Sequence, residues 1–170
     1  MHIPTHIMSG WCVGNLLPLS ARQRMFCMIA ASAADLDGVG VIVSQRAYWD
    51  WHHVAGHNLF AAVAIAGILT IPSQPRRLFA FVVYLALAHL HLLMDYFGSG
   101  PGWPIYYLWP ASRQKIVNPG AWEFFSWQNI LIAAMLLAWT ILIAWSKRRT
   151  PLEAIMPNLD RQLVGKPARI

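Results

Sequence analysis

The sequence predicts an all-α integral membrane protein, a helical bundle of about four to five helices, some of them short, with a metal site at its outer face. Three observations lead to this prediction. The 170 residues are 57% hydrophobic and only 12% charged, whereas soluble domains carry about 25% charged residues. Two apolar stretches reach the roughly 20 residues that a bilayer span needs. Histidine and aspartate residues recur near the ends of the predicted helices.

Apolar runs and their boundary residues predict five helices, over about residues 5–17, 21–34, 58–71, 78–97 and 126–145. Asn58 is a favourable N-cap for the third helix, and Pro72 and Gly98 end the third and fourth. Only the last two are long enough to span a bilayer directly. The first three are expected to cross obliquely, to stop part-way or to lie inside the bundle.

The chain is predicted to contain one membrane-embedded domain, residues 1–149, and a flexible cytoplasmic tail, residues 150–170. The tail follows the basic cluster that ends at Arg149, and it contains three prolines and charges of both signs. Segments of this kind at a chain terminus are commonly poorly ordered.

The basic residues predict the orientation in the membrane. If the chain changes side at each predicted helix, ten of the 13 lysine and arginine residues lie on one side. Only Arg46, Arg113 and Lys115 lie on the other. Because lysine and arginine concentrate in cytoplasmic loops, the first side is expected to face the cytoplasm of a bacterial inner membrane. The clumped net charge of +6 does not indicate a stable nucleic-acid partner.

The same topology gathers the titratable residues at the opposite, outer face. All seven histidines and five of the seven acidic residues fall there. His91 and Asp95 are four residues apart, so they share one face of the fourth helix. His89 lies about 200° around that helix from His91. We therefore expect His89 to pack against another helix or to reach the interface.

Three further segments bring potential metal ligands to this face. Asp35 and Asp37 lie in "AADLDGVG", His52 and His57 in "WHHVAGHN", and His6 in "PTHIMSG". Each has an ordinary explanation alone, since aspartate favours turns and polar residues occur near interfaces and chain ends. Together, four converging segments predict a metal site. Imidazole and carboxylate without thiolate suit zinc, manganese or iron, and several histidines favour zinc.

Four motifs resemble, in order, those of a bacterial family of inner-membrane metal-dependent hydrolases. That family includes SOS-regulated membrane proteins and is distantly related to zinc-dependent phospholipase C and to zinc-dependent single-strand nucleases. The motifs cover about the first 110 residues: "THIMSG", "AADLDGVG", "HHVAGHN" and "HLLMDYFGSGPGWP".

The resemblance implies a set of metal ligands. His6 corresponds to the family's Thr-His motif, and Asp35 and Asp37 correspond to its Asp-x-Asp motif. His52 and His57 correspond to the two histidines of its His-Arg-Gly-x-Thr-His-Ser motif. His91 and Asp95 correspond to its His-x-x-x-Asp motif. His91, Asp95, one aspartate of the pair and one of the two histidines would form one site. His6 and Asp95 would contribute to a second. His53 stands where the family has arginine, which removes a candidate phosphate contact.

The preferred interpretation is a membrane-bound metal-dependent hydrolase that acts on a phosphoester, such as a phospholipid or a lipid-linked phosphate, through a metal-activated water. Asp37 is the candidate general base. One or two zinc ions are the expected cofactors, with manganese as an alternative, and the expected partners are the lipid bilayer and the substrate. The alternatives are a non-enzymatic metal-binding or divalent-ion transport protein, and a structural stress protein with a vestigial site.

Overall fold

The computed structural model describes residues 1–165 and is helical throughout. In chain order its α-helices are α1 (Ile3–Leu16), α2 (Ala21–Ser32), α3 (Gln45–Trp51), α4 (Leu59–Thr70), α5 (Arg77–Gly98), α6 (Trp127–Lys147) and α7 (Pro157–Leu163). A 3₁₀ helix, Ala33–Ile42, follows α2 directly. The described residues contain no strand, only an isolated antiparallel bridge between Ile105 and Ile116. The predicted all-α class is confirmed.

Three helical segments are long and apolar enough to cross a membrane: Ala21–Ile42, Arg77–Gly98 and Trp127–Lys147. The sequence analysis predicts only the last two. The difference arises because the 3₁₀ helix continues α2 past residue 34, so that Asp35 and Asp37 lie within helical structure and not in a turn after it. Helix α4 stays short, with 12 residues.

Helices α1 and α2 approach each other closely because a glycine of α1 faces the backbone of α2. A Cβ atom on Gly10 would lie 2.4 Å from the carbonyl oxygen of Cys27 and 2.8 Å from the Cα of Met28. Helix α2 begins with a capping box, in which Ser20 and Gln23 each bond the backbone N–H of the other. This cap satisfies free donors at the helix start directly after the short connection from α1.

Helix α5 forms the centre of the bundle, between α2 and α4. Its buried positions recur every three or four residues, the pattern of a core-facing helix stripe: Ala80, Val83, Tyr84, Leu87, Ala88, His91, Leu92 and Asp95. The stripe is mainly apolar up to Ala88 and contains histidine and aspartate in its last turns. The stripe that packs the core therefore carries His91 and Asp95 to one end of the bundle.

The other end of the bundle is basic and holds part of the predicted tail. Arg24 is buried, and its Nε donates to Glu153 at 2.5 Å. Asp160 of α7 is also buried and accepts hydrogen bonds from the N–H and hydroxyl of Thr150. The Arg24–Glu153 ion pair and the hydrogen bonds between Thr150 and Asp160 hold these residues of the tail. Over these residues the tail therefore differs from the predicted flexible segment. Residues 166–170 lie outside the described part, and the domain division stays a prediction.

Two polar side chains secure the long connection between α5 and α6. His89 donates from Nδ1 to the carbonyl of Leu85 at 2.8 Å, and its Nε2 accepts from the hydroxyl of Tyr107 at 3.0 Å. Asn129 is fully buried and donates to the carbonyl of Gly98 at 2.8 Å, which ties α6 to the end of α5. His89 therefore holds the connection in place, in agreement with its expected packing role.

We expect Gly10→Ala to lower the thermal stability of the detergent-solubilised protein, because the added methyl group would collide with the α2 backbone. Overpacking of this kind costs roughly 1–3 kcal/mol. Gly67→Ala in α4 is the matched control, since nothing lies within 4 Å of its added Cβ. Alanine also favours a helix by about 0.5–1 kcal/mol over glycine. Thermal unfolding followed by circular dichroism measures both, and an unchanged Gly10→Ala melting temperature would contradict the close approach.

Candidate metal centre

Four segments bring polar side chains together at the end of the bundle opposite the basic residues. They are the first turns of α1, the 3₁₀ helix, the connection from α3 to α4, and the last turns of α5. Among the side chains they contribute, His6 and His57 are fully buried and His91 is 1% exposed. Buried polar groups are costly unless they have partners. The histidines and aspartates therefore need one another, or a bound ion.

The first donor set consists of His57, His91, Asp35 and Asp95. The Nε2 atoms of His57 and His91 are 3.0 Å apart, and they lie 3.1 and 3.0 Å from Oδ2 of Asp95. Oδ1 of Asp35 lies 3.7 and 3.6 Å from the same two nitrogens. Ligands about 2.0–2.1 Å from a tetrahedral zinc are separated by about 3.3 Å. The spacing of the first donor set therefore fits one tetrahedral divalent ion.

The second donor set meets the other oxygen of Asp95. Oδ1 of Asp95 lies 3.2 Å from Nε2 of His6 and also accepts a hydrogen bond from the α-amino group of Met1. That amino group donates to the hydroxyl of Ser99 at 2.8 Å as well. The two oxygens of one buried carboxylate thus face different donors, while His6, Asp35, His91 and Asp95 also offer ligand atoms that all lie within 4.8 Å of one another. A carboxylate in this position can bridge two ions.

Asp37 lies behind the first donor set, where both of its carboxylate oxygens accept hydrogen bonds. Its Oδ2 accepts from Nδ1 of His57 at 2.9 Å and from the N–H of Gly56 at 2.9 Å, and its Oδ1 accepts from Nδ1 of His52 at 2.7 Å. Both oxygens are therefore engaged with protein donors. This geometry suits Asp37 to orient His57, and its role as the general base stays a prediction.

The 3₁₀ helix explains why the two aspartates have different roles. Residues two apart in a 3₁₀ helix are separated by about 240° around its axis. Asp35 consequently reaches His91, while Asp37 reaches the connection before α4. The two candidate histidines also differ in position. His57 belongs to the first donor set, whereas His52 bonds Asp37 behind that set. Asp37, His52 and His57 also form a compact group of metal-binding residue types.

Hydrogen bonds from the outer layer set the orientation of the imidazoles. Nδ1 of His91 donates to the carbonyl of Ala31 at 2.8 Å, which leaves its Nε2 lone pair directed at the first donor set. Carboxylates and carbonyls commonly orient metal-binding histidines in this way. Burial opposes the charged form of His57, but its bonds with Asp37 and Asp95 outweigh burial and raise its pKa to about 9. Metal binding would therefore displace a proton from His57.

The structure adds His53, which the sequence analysis did not include among the candidate ligands. His53 is buried in a left-handed backbone conformation, φ 64°, and its ring stacks on His57 at 4.2 Å between centroids. Its Nε2 lies 4.0 Å from Oδ2 of Asp95. Burial and the charge of His57 lower the pKa of His53 well below its usual range. The adjacent pair "HH" in the sequence is the only local signal for it.

A cavity of about 240 Å³ opens onto the donor sets. Its walls are Met1, Asp35, Tyr48, His52, His53, Asp95, Ser99, Trp103 and Phe124. The ring of Trp103 lies 4.9 Å from that of His53 and stacks on Trp49 at 4.7 Å. No lysine or arginine occurs among these described lining residues. Asp35 lines this cavity, and its Oδ2 is buried without a hydrogen-bond partner in the described part of the chain, a partner that a bound ion could supply.

All seven residues predicted from the sequence lie at this one end of the bundle: His6, Asp35, Asp37, His52, His57, His91 and Asp95. Five of them have an atom in one of the two donor sets, and Asp37 and His52 lie behind. Their roles as metal ligands stay predictions. The donor chemistry, the near-tetrahedral spacing and the unpaired oxygen of Asp35 all fit a divalent ion, and zinc as its identity stays a prediction.

We expect protein purified in mild detergent without chelator to hold about one to two equivalents of zinc or manganese. His91→Ala and Asp95→Ala should lose most of it, because each removes a donor from the first donor set. His89→Ala is the control on the same helix, since the hydrogen bonds of His89 go to Leu85 and Tyr107 and not to the donor sets. Elemental analysis by mass spectrometry measures the metal content.

The same measurement separates the two aspartates. Asp37→Asn should weaken metal binding by about 10–100-fold, the usual effect of losing an orienting partner, whereas Asp35→Asn removes a donor. Competition with a chelator of known affinity gives the two values. Equal metal retention in the His91, Asp95 and His89 variants would contradict the assignment of the first donor set.

Comparison with curated proteins and with solved structures gives no match. A family model described as YdjM inner membrane protein matches residues 1–158. The match covers nearly the whole described chain, from α1 into α7, and every residue of both donor sets. It confirms the inner-membrane family that the motifs predict, whereas the relationship to hydrolases stays a prediction. With a match of this extent and three helices able to span a bilayer, the chain belongs to the YdjM inner membrane protein family.

Proposed function

We propose that this protein is a membrane-bound metal-dependent hydrolase that acts on a phosphoester, such as a phospholipid or a lipid-linked phosphate. The observation that carries the proposal is the position of Asp95, whose two oxygens face different but adjoining donors at one end of the helical bundle. A shared carboxylate between two ions is typical of two-metal hydrolytic sites. Zinc is the proposed metal, and manganese the alternative.

A divalent ion held there would lower the pKa of a water molecule and polarise the phosphorus–oxygen bond. The chain itself would supply the proton acceptor. Asp35 lines the cavity and contributes Oδ1 to the first donor set, and its Oδ2 has no hydrogen-bond partner in the described residues. A carboxylate within reach of the attacking water can act as general base. We therefore assign this role to Asp35, while Asp37 keeps the ring of His57 in place.

The surroundings of the cavity support an amphipathic phosphoester as substrate. Tyr48, Trp103 and Phe124 provide apolar walls, and Ser99 and His53 provide polar groups. The cavity lies where helices able to span a membrane end, so a headgroup at the membrane boundary could reach it. Because the described lining contains no lysine or arginine, the negative charge of a phosphate would be balanced by bound metal ions.

The alternative of a divalent-ion transport protein has less support. A transport route needs polar groups at several depths of the membrane, because ions are costly in an apolar environment. The buried stripe of α5 below the donor sets contains Ala80, Val83, Tyr84, Leu87 and Ala88, with the hydroxyl of Tyr84 bonded to Ser73 as its one polar group, and the buried residues of α4 are Ala62 and Ala66. This distribution favours a site at one end of the bundle over a route through it.

We propose that the metal centre faces the periplasm and the basic end faces the cytoplasm, as the positive-inside bias indicates. A periplasm-dependent reporter, such as alkaline phosphatase, fused after Ile170 should then be inactive. A fluorescent protein that folds only in the cytoplasm should be active at the same position. An active phosphatase fusion would reverse the orientation and place the donor sets in the cytoplasm.

We expect the purified protein in lipid nanodiscs, supplied with zinc or manganese, to hydrolyse a lipid phosphoester. Phospholipids, lipid-linked diphosphates and short single-stranded DNA would be offered, and products followed by mass spectrometry. Asp35→Asn should lower the rate roughly 100-fold or more, the usual contribution of a general base, and His89→Ala should retain most of it.

Two outcomes of that assay would overturn parts of the proposal. Tight metal binding without turnover of any substrate would indicate a non-enzymatic metal-binding protein. Turnover of DNA alone would keep the hydrolase and reject the lipid substrate. Elemental analysis of the same samples shows whether the metal was present in each variant.

A further inference from the structure

Three adjoining cavities connect the donor sets with the outside of α1 and α2. The cavity at the metal centre, about 240 Å³, shares Met1, Asp35, Tyr48, His52 and Phe124 with a second cavity of about 380 Å³. The second shares Ile3, Asp35 and Leu36 with a third cavity of about 230 Å³. Because each cavity shares wall residues with the next, the three adjoin one another, and we refer to them together as the α1–α2 groove.

The far end of the α1–α2 groove is apolar and faces outwards. Its walls include Ile3, Ile29 and Leu36, which are 51%, 40% and 72% exposed. Ile29 and Leu36 belong to Ala21–Ile42, a segment apolar enough to cross a membrane. Exposed apolar side chains on such a segment contact the hydrocarbon of the bilayer, because helices are the elements that lipid tolerates. The groove therefore opens sideways into the bilayer.

The near end of the groove is polar and leads to the metal centre. Asp35 lines all three cavities, and its Oδ1 belongs to the first donor set. From Ile29 to Asp35 the helix rises by about 10 Å. Over this distance the walls change from the side chains of Ile29 and Ala33 to the carboxylate of Asp35, beside which His52 and His53 line the cavity at the metal centre. The gradient matches a molecule that has a hydrocarbon chain at one end and a phosphoester at the other.

A second apolar groove provides an internal comparison. It lies between α1, α5 and α6, has a volume of about 450 Å³, and is lined by Ser9, Cys12, Val13, Leu90, Met94, Ile132, Met135, Leu136 and Trp139. None of these residues lines the cavity at the metal centre. Lipid chains can fill this groove as they fill any apolar depression in a membrane protein, but it has no connection to the donor sets.

We propose that the α1–α2 groove binds one hydrocarbon chain of a membrane lipid while the phosphoester of that lipid reaches the donor sets. Substrate then enters sideways from the bilayer and not from water. The inference rests on the proposed function, which identifies the polar end of the bound lipid as a phosphoester. The position of the chain follows from the groove itself and is testable without turnover.

The first test locates the chain by photochemical cross-linking. The full protein is placed in nanodiscs of phosphatidylglycerol that contain a trace of the same lipid with a diazirine near the glycerol end of one chain. Cross-linked peptides are quantified by mass spectrometry. We expect label on Asp35 and Phe124, inside the groove, as well as on Met135 in the comparison groove. Absence of label on Asp35 and Phe124 would overturn the proposal.

A bulky side chain in the α1–α2 groove should remove the label inside that groove and leave the label in the comparison groove unchanged. Ala33 lines the groove, and Ala33→Trp should reduce label on Asp35 roughly fivefold or more, since added volume in a packed space excludes a chain. Label on Met135 should not change. Leu36→Trp is a second blocking variant at an exposed position, in case Ala33→Trp fails to fold. Ala64→Trp, at an exposed position of α4, is the matched control and should leave both labels unchanged.

The second test uses turnover and separates the two proposals. Hydrolysis of phosphatidylglycerol is compared with that of the water-soluble diester bis(4-nitrophenyl) phosphate. Ala33→Trp should lower lipid hydrolysis roughly tenfold more than diester hydrolysis, and Ala64→Trp should change neither. If both blocking variants leave lipid hydrolysis intact, the groove is wrong and the hydrolase stands. If the unaltered protein hydrolyses neither compound, the proposed function fails and the cross-linking alone decides the groove.

Discussion

The buried carboxylate of Asp95 is the interaction on which the arrangement of this end of the protein depends. It contacts His6 and the α-amino group from the start of α1, His57 from the connection before α4, and His91 from its own helix. A carboxylate that is 3% exposed is stable only if these partners, or metal ions, compensate its charge. The need to surround this charge draws three separate segments together.

A second layer makes the arrangement rigid. Asp37 holds His57 through Nδ1, and the carbonyl of Ala31 holds His91 through Nδ1. Each imidazole therefore presents Nε2 towards Asp95, and neither ring needs to reorient when an ion binds. Preorganised ligands of this kind improve metal affinity. The close packing of α1 on α2 at Gly10 has a related effect, because it fixes the relative positions of two helices that carry or lead into the site.

The location of the site connects its chemistry with the membrane. Helix α5, which is long and apolar enough to span a membrane, has a buried stripe that is mainly apolar until its last turns, so its polar donors are confined to one end. The α1–α2 groove then joins this end to the hydrocarbon surface of a second spanning segment. Two environments of very different polarity meet within about 10 Å along one helix. This proximity is the physical basis for proposing an amphipathic substrate.

The sequence by itself determined the membrane class, the bounds of five α-helices to within two residues, and which residue types could bind metal. These features are local, since hydropathy and residue spacing reveal them. It did not reveal α3, which buries no residue and so has no apolar periodicity, or the 3₁₀ helix after α2. Only the tertiary structure decided that Asp35 and His57 face His91, while Asp37 and His52 stand behind. The physical reason is that these choices depend on the direction of each side chain and on contacts such as Asp35 to His91, between residues far apart in the chain.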